Sequence, residues 1–371
     1  PVKKKIKEMT LEEKIGQMVI VGFDGYTIDD SVRAMIQDYH VSGFILYGRN
    51  VESSSQLLEL INSLKRENAK NNKFPLFISV DEEGGRISRM PEEFKNLPSN
   101  RTIGQTNNEE LSYEVGRIIA EKIRIFGFNM NFAPVLDIDS NPKNPVIGDR
   151  SFGPDEKIVS KLGVQTMKGL QSGGVVPVVK HFPGHGDTSV DSHIGLPSVN
   201  SDFERLMSFE LIPFKEAIIN GVDVVMTAHI LLPEIDSRNP ASLSEKLIAD
   251  ILRKQLKFDG VVVTDDITMG AISKIYSLGE AALKSVLAGT DIILISHEYD
   301  NMISVLDALR DAADSGILSQ DRIDESLYRI LKLKEKYNLD DSEKKLLDFD
   351  NHIDNINKNI SDILEIISKV R

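Results

Sequence analysis

Three of the chain's seven histidines fall in one segment, KHFPGHGDTSVDSHIGLP at 180–197, together with Lys180, Asp187 and Asp191. Glycine and proline interrupt this segment, so it cannot run as a continuous helix and reads as a long loop at the end of a strand. Loops of this kind, held by a rigid scaffold, commonly carry catalytic groups. Three chemistries are open to it. His181, His185, His193 and the aspartates are metal-ligand types, but their spacing matches no helical or ribbon signature and the chain has no cysteine to add. The polar groups can instead pin an irregular loop through backbone hydrogen bonds, a reading that suits His185 and Asp187. In the third reading Asp191 and His193 form an acid/base pair, the carboxylate fixing the imidazole tautomer and favouring its proton-donating form.

A second segment, GVVVTDDITMGAI at 260–272, ends an apolar run in two adjacent carboxylates. Asp265 continues the alternation of the strand, whereas Asp266 points to the other side or begins the next turn, so one faces a site and the other does not. Asp266 suits an N-cap for the following helix. A third, FISVDEEGGRISRM at 77–90, places Asp81 at a strand end with Arg86 and Arg89 close behind, and NPVIGDRSFGPD at 144–155 places Arg150 in a loop.

The elements that must position these residues show a regular pattern. Eight short apolar or β-branched runs, at 17–23, 43–48, 75–80, 129–138, 175–180, 222–228, 260–265 and 291–296, alternate with segments of helical period such as 53–68, 110–127, 155–173 and 244–257. Eight parallel strands with helical crossovers predict an α/β fold of the (β/α)₈ TIM-barrel type, with a doubly wound open sheet as the alternative. Asp24, Tyr47 with Arg49, Asp81, Asp137, Lys180 with His181, His229, Asp265 and His297 all fall at or just beyond the carboxyl ends of these runs. In a barrel those positions converge on one mouth. The pattern breaks near 338–342, giving a barrel over 1–340 and a tail over 341–371, where Ile353, Ile356, Ile360, Ile363 and Ile367 predict an amphipathic helix packed on the barrel.

Composition narrows the function classes. With 44 Lys plus Arg against 57 Asp plus Glu, the net charge of −13 argues against nucleic acid and anionic membrane surfaces as partners. Zero cysteines exclude disulfide scaffolds, thiolate metal sites and cysteine nucleophiles. No apolar run approaches the roughly 18 residues of a membrane span. The start at Pro1, followed by Lys3, Lys4 and Lys5, suggests processing, so export or lipid anchoring after loss of a leader is expected ahead of a cytoplasmic location.

These segments together resemble glycoside hydrolase family 3, and within it the β-N-acetylglucosaminidases of the NagZ type. The resemblance rests on D-E-E-G-G-R from Asp81, N-F-A-P-V-L-D from Asn131, I-G-D-R-S-F from Ile147, K-H-F-P-G-H-G-D-T from Lys180, D-S-H from Asp191 and T-D-D-I-T-M from Thr264, in that order, and extends to about residue 340. It implies that Asp265 is the nucleophile, His193 the general acid/base and Asp191 its orienting partner. Asp81, Arg89, Arg150, Lys180 and His181 would hold the sugar, while Asp266 is structural. The implied enzyme is a monomeric retaining exo-β-N-acetylglucosaminidase acting on GlcNAc glycosides or muropeptides, with no metal and no organic cofactor. A neutral histidine base does not repel an anionic acceptor, so phosphorolysis is one alternative. A β-glucosidase, a metallohydrolase and a non-catalytic cell-wall sugar-binding protein are others. Gly184, Gly186 and Gly195 suggest that the His193 loop moves. The gathering of Arg89, Arg150 and Lys180 suggests that the pocket accepts an anionic sugar despite the negative chain.

Overall fold

The computed structural model describes residues 1–191, 193–345 and 347–370. Ser192 of the D-S-H motif, and Leu346 and Arg371 of the tail, lie outside the described residues. Eight strands alternate with helices: β1 (Val19–Val21), β2 (Gly43–Leu46), β3 (Phe77–Val80), β4 (Met130–Asn131), β5 (Val176–Phe182), β6 (Val224–Thr227), β7 (Val261–Thr264) and β8 (Ile293–Ile295). Every paired neighbour is parallel, in the order β7-β6-β5-β4-β3-β2-β1-β8. The ring closes where Val263 bridges Ile292 and the Thr264 amide donates to the Ile292 carbonyl at 3.1 Å. The (β/α)₈ barrel expected from the alternation is therefore the observed architecture.

All eight strands are buried along their whole length. That follows from apolar runs such as VIV, VVMT and VVVT: one face fills the barrel interior and the other meets the helical ring, so both are mostly apolar. The run at 129–138 is an exception to the predicted lengths, pairing regularly only at Met130 and Asn131. Pro134 lacks the N–H needed to continue the ladder, and Val135 rejoins it as an isolated bridge to Lys180. The helices begin where their caps dictate. Ser53 and Gln56 form a reciprocal capping box before Ser54–Asn71, and Asn108 and Asp155 cap Glu109–Arg124 and Glu156–Ser172. The segment predicted as a helix at 244–257 winds as a π-helix over Lys246–Gln255, with the Leu256 amide reaching the Ile251 carbonyl at 2.9 Å.

The tail forms the helix Phe349–Ser368. Ile353, Ile356, Ile360, Ile363 and Ile367 are all buried, as the three-and-four spacing demands, and Phe349 meets Phe126 edge-on at 5.3 Å. Among the described residues no helix is long and apolar enough to cross a membrane.

Candidate active site

A cavity of about 330 Å³ opens at the carboxyl ends of the strands, lined by residues from the ends of β2, β3, β5, β6, β7 and β8 and from the loops that follow them. Its volume lies at the lower end of the roughly 300–1,000 Å³ of small-molecule sites, which suits one sugar ring better than an oligosaccharide. A larger groove of about 870 Å³ lies at the opposite end of the barrel, beside Asp223 and Gly260. Some of its charged groups pair with one another, as in Arg329 with Asp259 and Lys336 with Asp223.

Asp265 leaves β7 directly into the mouth. Its amide donates to the Thr227 carbonyl at 2.9 Å, and its Oδ1 accepts the Asp266 amide at 2.8 Å. Burial pushes the Asp265 carboxyl upward, but His181, His229, the Asp266 N–H and Lys180 outweigh it and hold the group below its ordinary value. Asp265 is thus an ionised carboxylate in a largely desolvated site. Asp266 also borders the cavity, contrary to the strand-alternation expectation, because β7 ends at Thr264 and the pleat no longer governs direction two residues on. It does not cap the next helix. It accepts the Thr268 and Ser296 amides at 3.0 and 3.1 Å and the Thr268 hydroxyl at 2.7 Å, tying β7 to β8.

The floor beside it is a four-residue ion cluster. Glu83 accepts two hydrogen bonds from Arg150, and Lys180 sits 2.8 Å from Glu83 and 3.0 Å from Asp81. Burial pulls the Lys180 pKa down, yet Asp81 and Glu83 outweigh it and raise it above its ordinary value. Burial likewise opposes the charge on Glu83, which Arg150 and Lys180 hold well below the carboxylate range. The expectation of a pocket suited to an anionic sugar fails here. Arg150 and Lys180 are neutralised in place, and the cavity lining sets Asp81, Glu83, Asp265 and Asp266 against Arg89, Arg150 and Lys180. Such a lining favours neutral hydroxyl and amide groups, which both donate and accept. Arg89 is held by its own amide, which donates to Glu82 at 2.8 Å, and Glu82 is anchored by the buried Lys122 at 2.7 Å. The Arg89 Nε is buried without a hydrogen-bond partner among the described residues.

Behind the mouth, Asp137 organises the histidines of β5 and its loop. One oxygen accepts the His181 and His185 amides at 3.2 and 2.7 Å, and the other accepts His181 Nδ1–H at 2.7 Å. His185 places Nδ1 2.8 Å from the Thr188 hydroxyl, and burial pulls its pKa down to about 4, so the ring is neutral at pH 7. The loop-pinning expected of His185 is its observed role, whereas Asp187 is exposed. His229 is likewise lowered by burial and donates Nε2–H to the Asp266 carbonyl at 2.9 Å.

The loop from Pro183 to Pro197 carries His193 over the cavity. Asp191 Oδ1 accepts both the backbone amide and Nδ1–H of His193, each at 2.9 Å. This fixes the tautomer and leaves Nε2 as the nitrogen available to a substrate. Burial pushes the Asp191 carboxyl up, but the two His193 bonds outweigh it and keep it below its ordinary value. Gly186 serves close packing rather than motion: a Cβ there would stand 1.6 Å from the Ile138 carbonyl oxygen.

Asp265, His193, Asp81, Arg89, Arg150, Lys180 and His181 therefore all line one cavity, with Asp191 one step behind His193. Sequence reasoning missed Glu83, although it stands two residues beyond Asp81 in the same D-E-E run. It also left the wall formed by Tyr47 and His297 without a role. The Tyr47 hydroxyl lies 2.6 Å from Ser296 Oγ, and Arg49 donates to His297 Nδ1 at 2.8 Å. Burial and the nearby Asp81 and Asp266 raise Tyr47 well above its ordinary value, so it stays a neutral phenol. Among the described residues no three His, Asp or Glu side chains are grouped to hold a metal ion.

Comparison with known proteins agrees with this geometry. Residues 10–333 match the model of the glycosyl hydrolase family 3 N-terminal domain. The chain is 33% identical over 367 residues to beta-hexosaminidase A of Pseudoalteromonas piscicida, matching 88% of this chain and 61% of that protein, so it spans less than two thirds of that relative's length. It is 35% identical over 320 residues to the beta-hexosaminidase of Nitrosomonas eutropha, covering 84% of this chain and 90% of that one. The solved family 3 beta-N-acetylglucosaminidase of Paenibacillus sp. str. FPU-7 superposes with a TM-score of 0.89 at 43% identity, over 96% of this chain and 68% of its own. A barrel with its charged cavity at the strand ends, matched over most of its length by these proteins, belongs to glycoside hydrolase family 3.

Proposed function

We propose that the protein is a retaining exo-β-N-acetylglucosaminidase that removes terminal GlcNAc from peptidoglycan fragments or related amino-sugar glycosides. The observation that carries this reading is the pairing of an ionised, half-buried Asp265 with an Asp191-braced His193 on one cavity sized for a single sugar. In a retaining mechanism Asp265 attacks the anomeric carbon as the glycosidic C–O bond breaks, and His193 gives its Nε2 proton to the departing oxygen. The covalent glycosyl-aspartate is then opened by water, whose proton returns to His193 while the new C–O bond displaces Asp265. Asp81, Lys180, Arg150, Arg89 and His181 hold the ring hydroxyls through a preformed network, so orientation costs little when the sugar enters. The beta-hexosaminidase and beta-N-acetylglucosaminidase names of the relatives support the amino-sugar preference.

The test compares aryl β-glycosides of GlcNAc, GalNAc and glucose, with and without phosphate. Fastest release from the GlcNAc glycoside, with free GlcNAc as the product in both buffers, is expected. Preference for the glucoside, or a sugar 1-phosphate product, would overturn the assignment.

A further inference from the structure

The loop bearing His193 is tied down at both ends. On one side Asn144 Nδ2 donates to the His185 and Gly186 carbonyls at 2.8 and 3.1 Å. On the other, the Leu231 amide donates to the Pro197 carbonyl at 2.8 Å and the Val199 amide to the Leu231 carbonyl at 2.9 Å. Between these anchors the chain folds into a compact turn, the Ile194 and Gly195 amides both reaching the Asp191 carbonyl at 2.9 and 3.0 Å. That turn rests on the segment leading away from Asp265. Lys274 Nζ donates to the Ile194 carbonyl at 2.7 Å. The His193 carbonyl oxygen lies so near Gly270 that a Cβ there would approach it to 2.4 Å. The Ile194 side chain is 67% exposed, so the turn is held here through its backbone and not by burying that side chain.

We propose that Gly270 and Lys274 form a seat for the acid/base turn, which makes Lys274 a positioning residue for protonation of the leaving group. The proposal rests on His193 being the acid/base. The nucleophile and the seat lie nine residues apart on one segment, from Asp265 to Lys274, and Gly270 opens the helix Gly270–Ser273 between them. The distance between Asp265 and His193 across the anomeric carbon is therefore set by a structure that includes the nucleophile's own loop. Lysine suits the task because its long side chain reaches, from the end of the helix Gly270–Ser273, a backbone carbonyl at the edge of solvent. Glycine is required at 270 for space.

The experiment measures kcat/KM, which reports steps through formation of the glycosyl-enzyme, for chitobiose and for an activated dinitrophenyl β-GlcNAc glycoside. Activated leaving groups depart without a proton, so only chitobiose senses the acid. Lys274→Met is expected to lower kcat/KM about tenfold for chitobiose and less than about twofold for the aryl glycoside, a fraction of the roughly 10²–10⁴ that a general acid supplies. Gly270→Ala should show the same bias, and Lys274→Arg, which keeps a long donor, should restore wild-type values. Equal losses on both substrates, no loss on either, or failure of Lys274→Arg to restore chitobiose cleavage would overturn the proposal. His193→Ala separates the two ideas. If it shows the leaving-group bias and Lys274→Met does not, the seat is refuted and the acid/base assignment stands. If His193→Ala shows no bias, the assignment itself falls.

Discussion

Glu83 accepts both hydrogen bonds that Arg150 directs at it, 2.9 Å from Nε and 2.7 Å from Nη2, with Lys180 2.8 Å from the same carboxylate. The pair joins the loop after β3 to the loop after β4, and Lys180 joins both to β5. The groups proposed to hold the sugar are thereby fixed before any substrate arrives. Glu83→Gln removes the charge that compensates two buried cations, so it should destabilise the fold by about 3 kcal/mol and raise KM. Urea unfolding together with steady-state kinetics checks this; unchanged stability would show that the cluster is solvated.

Asp191→Ala removes the acceptor of both His193 bonds and frees the ring to adopt either tautomer. We expect a loss of about 10²-fold in kcat/KM for unactivated glycosides and a much smaller loss for activated ones. A comparison across aryl glycosides of graded leaving-group acidity reads this directly. A uniform loss would indicate that Asp191 supports the loop and not the proton transfer.

Acid should weaken the fold in a defined window. The folded pKa of His185 is about 4, against the roughly 6.5 of an unfolded histidine, because burial disfavours its charged form. Between these values the unfolded chain binds the proton and the folded one does not, so stability is full above about pH 6.5 and is lost as pH falls towards about 4. His185 contributes on the order of 3 kcal/mol to this loss, with His229 acting in the same direction. Melting temperatures of wild type and His185→Gln at pH 7 and pH 5 test it: the variant should be less stable at pH 7 but lose less on acidification. Equal losses would contradict the buried neutral ring.

Ile356 is fully buried at the interface between the tail helix and the barrel. Ile356→Ala should cost roughly 2–4 kcal/mol by deleting packed methyl groups, while leaving kcat/KM at low temperature close to wild type. Thermal melts and activity at 20 °C or below separate the two effects. A large kinetic change without loss of stability would give the tail a direct part in the site.

Much of this was legible in the sequence because it depends on periodicity. Short apolar runs, six to ten residues long and each ending in or followed by a polar group, are what a parallel barrel requires, and they located Asp81, Lys180, His181 and Asp265 at its mouth. The isoleucine spacing of the tail was equally direct. Three-dimensional charge balance was not legible. Arg150 and Lys180 read as free cations because nothing local shows that Glu83, 67 and 97 residues earlier, lies between them. Nor does strand alternation describe Asp266, which stands beyond the last paired residue. The role of Gly186 was misread because a glycine needed for close approach and one needed for motion look identical in sequence.

The most direct test of the account is to trap the covalent intermediate. Wild-type protein reacted with an activated 5-fluoro β-GlcNAc donor should gain one fluorosugar by mass, and peptide mapping should place it on Asp265, with no adduct formed by Asp265→Ala. A label on Asp266 or any other residue, or turnover with inversion and no adduct, would contradict it.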